Sequence, residues 1–358
     1  MLKPLRISLR VIASLLALVL LAALAYVGYV VFSYSRIPDH QALAPEGEAS
    51  ALAQTGRAYT VVTQNLGFGA YTPSFTFFMD GGVGSRAESP ESVRSCIEEG
   101  ARTVAALSPD FVFFQEVDID SDRSYHIDER TLLSPFFEGC TSVFAQNYHS
   151  AYLFYPFYEP HGASQSGLLT VSRLAVSQAS RRSLPISEGF SKFLDLDRCY
   201  SVSRVPCENG KELVLFNVHL SAYGGSDEIR TAQMTQLLSE MQAEFEKGNY
   251  AVCGGDFNHD FTGHSTQDLN GGESVDFGWA QPFPDDLLAQ TGIRRADGYQ
   301  ALVPTCRNCD VPYQEGNFTI IVDGFLVTEN VEILLVQNVD TRFSYSDHNP
   351  AVLRFLLK

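Results

Sequence analysis

Asn65, Glu116, His219, Asp256, Asp323 and the adjoining Asp347 and His348 each stand at the end of an apolar run or inside one. Amide, carboxylate and imidazole are the groups that orient a water, move a proton and hold a hard cation. The stretch Cys253-Gly254-Gly255-Asp256-Phe257-Asn258 is the most telling. Its lead-in, Tyr250-Ala251-Val252, reads as a buried strand, and strand alternation places the Asp256 and Asn258 side chains on one face. On its own, such a stretch reads first as a strand-end turn, because Gly, Asp and Asn are turn residues. Repetition changes that reading. Thr60 to Asn65, Phe111 to Glu116 and Leu213 to His219 are apolar strands with a polar tip, and Phe318 to Val327 carries Asp323 in its middle. Ser346-Asp347-His348-Asn349-Pro350 then precedes a last strand, Ala351 to Leu356. Several buried strands that each deliver one polar residue are how an α/β scaffold assembles a single polar site. Asp323 is the least comfortable without one, since a carboxylate among Ile320, Ile321, Val322, Phe325 and Leu326 is costly to bury unpaired.

In chain order, Gln64-Asn65, Gln115-Glu116-Val117-Asp118, Asn217-Val218-His219-Leu220, Gly255-Asp256-Phe257-Asn258, Val322-Asp323-Gly324-Phe325 and Ser346-Asp347-His348-Asn349-Pro350 form one ordered series. Gly167 to Arg173, and Arg230 with Gln233, accompany it. From about Tyr59 to the C-terminus this series resembles the endonuclease/exonuclease/phosphatase superfamily of metal-dependent phosphoesterases. The resemblance implies a four-layer α/β sandwich, two packed mixed β-sheets flanked by helices, and an enzyme that hydrolyses a phosphodiester or phosphomonoester. It implies that Asp256 orients the attacking water, that Asn258 holds a phosphate oxygen, and that Asp323 pairs with His348 beside the phosphate. His219 becomes the second imidazole, donating to a phosphate oxygen or to the leaving group.

Elementary chemistry asks for the same parts. A phosphoester repels nucleophiles with its own charge, so hydrolysis needs charge neutralisation, an oriented water and a proton for the leaving oxygen. Mg²⁺, or Mn²⁺ in its place, takes carboxylate and carbonyl oxygens and keeps several waters. Glu116 is the best-placed first ligand, with Asn65 and Asp347 beside it. An Asp next to a His raises the His pKa and fixes its tautomer. No Cys or paired-His spacing calls for zinc. The two histidines also have a plain reading as hydrogen-bonded strand-end residues, and their motif positions favour the catalytic one.

The formal net charge is −17, so the average surface repels polyanions, which counts against a nuclease gripping duplex nucleic acid through many phosphates. Arg123, His126 and Arg130, and the pair Arg181 and Arg182, are candidate substrate-phosphate contacts or solvated surface. The substrate stays open between a lipid headgroup phosphoester, a small phosphorylated molecule and extracellular DNA or RNA. A non-catalytic binding domain on the same fold is the rival from another class.

Residues 1–10 form a basic end with Lys3, Arg6 and Arg10, and residues 11–32 form an uncharged apolar run long enough for a transmembrane helix. This reads as a signal-anchor that leaves the rest outside the cytoplasm. Cleavage after Ala23-Leu24-Ala25 is the alternative, giving a secreted chain. Residues 33–57 read as a linker with a reach of roughly 25 to 30 Å, and residues 58–358 as one catalytic domain without an internal repeat. Helices are expected from Ser89-Pro90-Glu91 with apolar Val93, Ile97, Ala101, Val104 and Leu107, and from Glu228 to Phe245. The aromatic clusters at Phe75 to Met79 and Tyr152 to Tyr158 are read as core packing in preference to a membrane-facing rim. Seven cysteines leave at least one unpaired; Cys199–Cys207 and Cys306–Cys309 are candidate pairs, and connectivity is not read from the sequence.

Overall fold

The structure is a computed structural model. It describes every residue except Met1, Leu194, 223–225, 273–278 and Ala280, with the backbone alone for residues 2–6 and Ser191. Strands β1 (Gln41–Leu43), β2 (Glu46–Gly47), β3 (Ala58–Asn65), β4 (Phe111–Asp118), β5 (Thr141–His149), β6 (Gln165–Ser172), β7 (Gln178–Ser183), β8 (Cys199–Pro206), β9 (Glu212–His219), β10 (Tyr250–Asp256), β11 (Ile293–Arg295), β12 (Asp323–Thr328), β13 (Val331–Asn338) and β14 (Ala351–Leu357) build two seven-stranded sheets. The first runs β13-β14-β3-β4-β6-β5-β2 and the second β1-β7-β8-β9-β10-β12-β11.

Each sheet is mixed for the same reason. The parallel pair β3/β4 is joined by helix α2 (Pro90–Ala106) and the parallel pair β9/β10 by helix α3 (Asp227–Glu246), while the neighbouring strands pair antiparallel. Side-chain alternation then sorts the layers. Val61, Phe111 and Phe113 of the first sheet meet Leu213, Leu215, Val252 and Phe325 of the second in the central core. Val62, Val112 and Phe114 turn outward onto Val93, Ile97, Ala101 and Val104 of α2. Val214, Phe216 and Ala251 turn outward onto Met234, Leu237, Leu238 and Met241 of α3. The result is the expected helix–sheet–sheet–helix sandwich. Ser89 caps α2 by accepting from Ser92 N at 3.0 Å, and Ser226 caps α3 by accepting from Ile229 N at 3.4 Å. Leu107 is the C-terminal cap of α2, one residue beyond the helix it was expected to join.

Helix α1 (Leu2–Ser33) precedes the sandwich, and among the described residues its segment Ile7–Ser33 is the one helix long and apolar enough to cross a membrane. Most of that segment is exposed and Val30 is buried. The stretch from 33 to 57, read as a linker, is instead woven into both sheets: β1 adds to β7 and β2 adds to β5. The Arg36 Nε–Asp197 Oδ1 pair at 2.7 Å and Ile37 N donating to Asp197 Oδ2 at 2.6 Å hold its start to the domain. All seven cysteines are free. Cys199 opens β8 and Cys207 follows its end, roughly 26 Å apart at strand rise, well beyond disulfide reach.

Candidate active site

A strand that is parallel to its neighbour brings a polar tip to the same sheet edge. β3 and β4 deliver Asn65 and Glu116; β9 and β10 deliver His219 and Asp256. His219 pairs with Asp256 in register across β9/β10, and Asp256 with Asp323 across β10/β12, so these three groups stand side by side. Two glycines make this possible. A Cβ on Gly254 would meet Phe325 Cδ1 at 2.5 Å and Phe113 Cδ2 at 3.0 Å, and one on Gly255, at φ +147°, would meet Val218 O at 2.0 Å. Beneath the tips, Gln115 Nε2 donates to Asn217 Oδ1 at 2.8 Å and ties one sheet to the other.

Asp323 opens β12 and does not lie inside a continuous strand. Thr305 Oγ1 accepts from the N–H groups of Val322 and Asp323, at 2.9 and 3.0 Å, and so replaces ladder partners at the break. Asn258 departs from strand alternation as well. It adopts φ +51°, donates its N–H to Asp256 Oδ1 at 2.9 Å and its Nδ2 to Leu220 O at 2.9 Å. Glu116 sits on a β-bulge at φ +54°, which aims a half-exposed carboxylate out of the ladder.

Asp256 Oδ2 is the centre of the group. Asn65 Nδ2 donates to it at 3.1 Å, His219 Nε2 lies 3.5 Å away and His348 Nε2 3.8 Å away. His348 Nδ1 is 2.7 Å from Asp323 Oδ2, the imidazole–carboxylate pairing expected from the motif. Ser346 Oγ donates to Asn65 O at 2.8 Å and accepts from His348 N at 3.1 Å, which fixes the Asp347-His348 turn against β3. Asn65 also donates to Glu116 Oε1 at 3.3 Å and accepts from Gly67 N at 3.0 Å.

The titrating groups are pushed apart. Burial, with the Asp323 charge adding and His348 opposing, moves the Asp256 carboxyl up to about 7. Burial and the Glu116 charge do the same to Asp347, again to about 7. Burial, then Arg198 and His348, drive His219 well below the ordinary imidazole range. Burial opposes protonation of His348 too, yet it stands well above that range. The Cys306 thiol beside it is itself pushed up to about 12 and stays neutral, so the carboxylates of Asp323, Asp347 and Asp256 are the cause. At neutral pH the site thus holds one neutral and one protonated imidazole.

The residues fit a hard cation. Asp347 has its carboxyl raised by burial and, against His348 and Arg307, by the charge of Glu116, so two oxygen ligands of like charge stand close together. Asp256, Asp323 and His348 also offer ligand atoms within 4.8 Å of one another. There, however, the 2.7 Å His348–Asp323 contact is a hydrogen bond that occupies two of the three.

The arginine and histidine candidates divide. Arg123 lies near Glu116 but is held bidentate by Asp118, at 3.0 and 2.8 Å, and stacks over Phe68 at 3.9 Å. His126 is an exposed partner of Asp120 and Asp122, and Arg182 pairs with Asp39 and Glu240. Sequence reasoning passed over Arg307 and Asn308, which line the crevice shared by Asn258, Asp347 and His348. The buried Nε and Nη1 of Arg307 and Nδ2 of Asn308 have no hydrogen-bond partner among the described residues. Their sequence signal was an Arg-Asn pair inside Cys306-Arg307-Asn308-Cys309, masked by the cysteines around it.

Residues 63–348 match the endonuclease/exonuclease/phosphatase family. The chain belongs to this family. Its members are hydrolytic phosphoesterases and nucleases that generally use a divalent metal ion. A search of curated proteins finds no match. Among solved structures, the family protein from Beutenbergia cavernae DSM 12333 is similar at TM-score 0.57 and 17% identity, covering 84% of this chain and 72% of that one. The family protein from Leptotrichia buccalis C-1013-b gives 0.54 and 12%, covering 83% and 99%. ANGEL2, a 2′,3′-cyclic phosphatase in complex with adenosine-2′,3′-vanadate, gives 0.53 and 13%, covering 88% and 98%. At such identities the likeness is one of fold.

Proposed function

We propose that this chain is a membrane-anchored, extracytoplasmic, Mg²⁺-dependent phosphoesterase, with Mn²⁺ able to substitute. The observation that carries the reading is the buried set His219 and Asp256 at the end of the parallel pair β9/β10, Asp323 at the start of β12 and His348 in the turn before β14, with the half-buried Glu116 at the tip of β4 beside it. Glu116, Asn65 and Asp347 would hold the cation, which when bound neutralises charge on the phosphate oxygens. Asp256 orients the attacking water and, in its carboxylate form, its pKa raised to about 7, takes its proton. The second Nδ2 hydrogen of Asn258 and the neutral His219 donate to phosphate oxygens. His348, kept protonated by its carboxylates, protonates the leaving oxygen. Arg307 and Asn308 add donors on the phosphate's far side.

A net charge of −17 and the commitment of Arg123 and Arg182 to acidic partners weigh against a nuclease that grips a polyanion. Nicking of supercoiled plasmid with Mg²⁺, with Asp256→Ala run alongside, tests this. No nicking by a folded protein is the expected result. Nicking that the mutant loses would establish the extracellular endonuclease reading in its place.

A further inference from the structure

The exposed aromatics at residues 154 to 158 overturn the expectation of core packing there. Phe154 is 48% exposed, Tyr155 64%, Phe157 83% and Tyr158 67%. In the Phe75–Met79 cluster Phe77 is buried, while Met79 is 51% exposed. Helix α1 ends on the first of these loops. Tyr26 Oη donates to Tyr152 O at 3.1 Å, Phe154 N donates to Tyr26 Oη at 3.3 Å, Tyr152 N donates to Tyr29 Oη at 3.1 Å, and the Tyr26 and Phe154 rings meet edge-on at 5.2 Å. From Val11, just past Arg10, to Tyr29 a helix rises about 27 Å, close to the hydrocarbon thickness of a bilayer. Tyr29, with Tyr26 one turn below it, therefore approaches the level where chains give way to headgroups, the depth that tyrosines favour.

At that level a cleft of about 470 Å³ opens, walled by Tyr26, Phe68, Phe78, Leu153 and Tyr155 and reaching Glu116 at its inner end. Apart from Glu116, its charged lining is quenched, Asp195 lying 3.7 Å from Arg198. Arg123 is paired with Asp118, and His161 is kept neutral by burial and Arg123, its pKa lowered to about 4. Tyr71 and Phe77 line both this cleft and the polar crevice of Asn258, Asp347 and His348, so the two spaces share a wall, and Glu116 lines the cleft itself.

We infer that the cleft receives an acyl chain of a bilayer phospholipid, and that Tyr26 makes the membrane helix one wall of the substrate site. This rests on the phosphoesterase reading: the chain enters beneath Tyr26 while the headgroup phosphoester reaches Glu116 and Asp256. A volume near 470 Å³ falls within the usual range for ligand pockets. An apolar, charge-quenched wall suits hydrocarbon and offers nothing to a sugar or a base-paired strand.

The full chain reconstituted in phosphatidylcholine vesicles doped with a phosphatidylcholine bearing a diazirine at one chain terminus tests this, with EDTA present so that no turnover is required. After irradiation, the labelled peptides are mapped by mass spectrometry. Label is expected in α1 and in segments 68–79 and 148–155, and the segment label falls at least fivefold in Leu153→Trp and in Met79→Trp while α1 label persists. Met79 is exposed enough for tryptophan to leave folding intact. Label confined to α1, or segment label indifferent to both tryptophans, would overturn the cleft assignment and leave the phosphoesterase reading standing. No label in α1 would overturn the tether, and the proposal with it.

Discussion

At the scale of the residue, the site works by holding neighbours in opposite protonation states. His348 is protonated because Asp323 faces its Nδ1. Asp323→Asn removes that charge, so the His348 pKa falls and the alkaline limb of the kcat/KM profile moves to lower pH, and the acidic limb, set by the Asp256 carboxyl that the same charge raises, moves down as well. A pH–rate profile checks this; an unmoved alkaline limb would take His348 out of the proton path. Arg307→Ala and Asn308→Ala are expected to raise KM by roughly 10- to 100-fold, the cost of losing one buried hydrogen bond to an anion, with a smaller fall in kcat. Arg307→Lys should recover part of the loss. The strand-tip residues were legible in the sequence because each ends a run whose apolar pattern has no other use for it. Arg307 was not, because its role depends on a crevice closed by residues some forty positions on, Asp347 and His348.

At the scale of the element, the decisive pieces are the two parallel pairs and the glycines between the sheets. The helix limits were readable from Ser89-Pro90 and from the apolar stripes of α2 and α3. That both helices serve the same purpose, each joining the parallel pair of its own sheet, left no repeated motif in the sequence. The stretch 33–57 was misread because its strands are two and three residues long and owe their existence to β5 and β7, some 95 and 140 positions away. Gly255→Ala should destabilise the fold by several kcal/mol, on the order of 3 to 5, because φ +147° and Val218 O at 2.0 Å leave no place for a methyl. Thermal melts would show it; an unchanged Tm would mean that β10 can shift without cost.

At the scale of the whole molecule, His161 links the cleft to stability. Burial, then Arg123, lowers its folded pKa to about 4, against roughly 6.5 unfolded. Its contribution is therefore complete above pH 6.5 and is lost as pH falls from 6.5 toward 4, by about 3 kcal/mol. Urea titrations across that window should show the slope, and His161→Leu should flatten it. The central claim is that Asp256 and a divalent cation together hydrolyse a phosphoester. The most direct measurement is the hydrolysis of bis(4-nitrophenyl) phosphate by the full chain in detergent, with Mg²⁺, with EDTA and in Asp256→Asn. Activity that EDTA abolishes, Mg²⁺ restores and Asp256→Asn lowers by at least about 100-fold is the expected result. Turnover that survives both EDTA and the substitution would contradict the account.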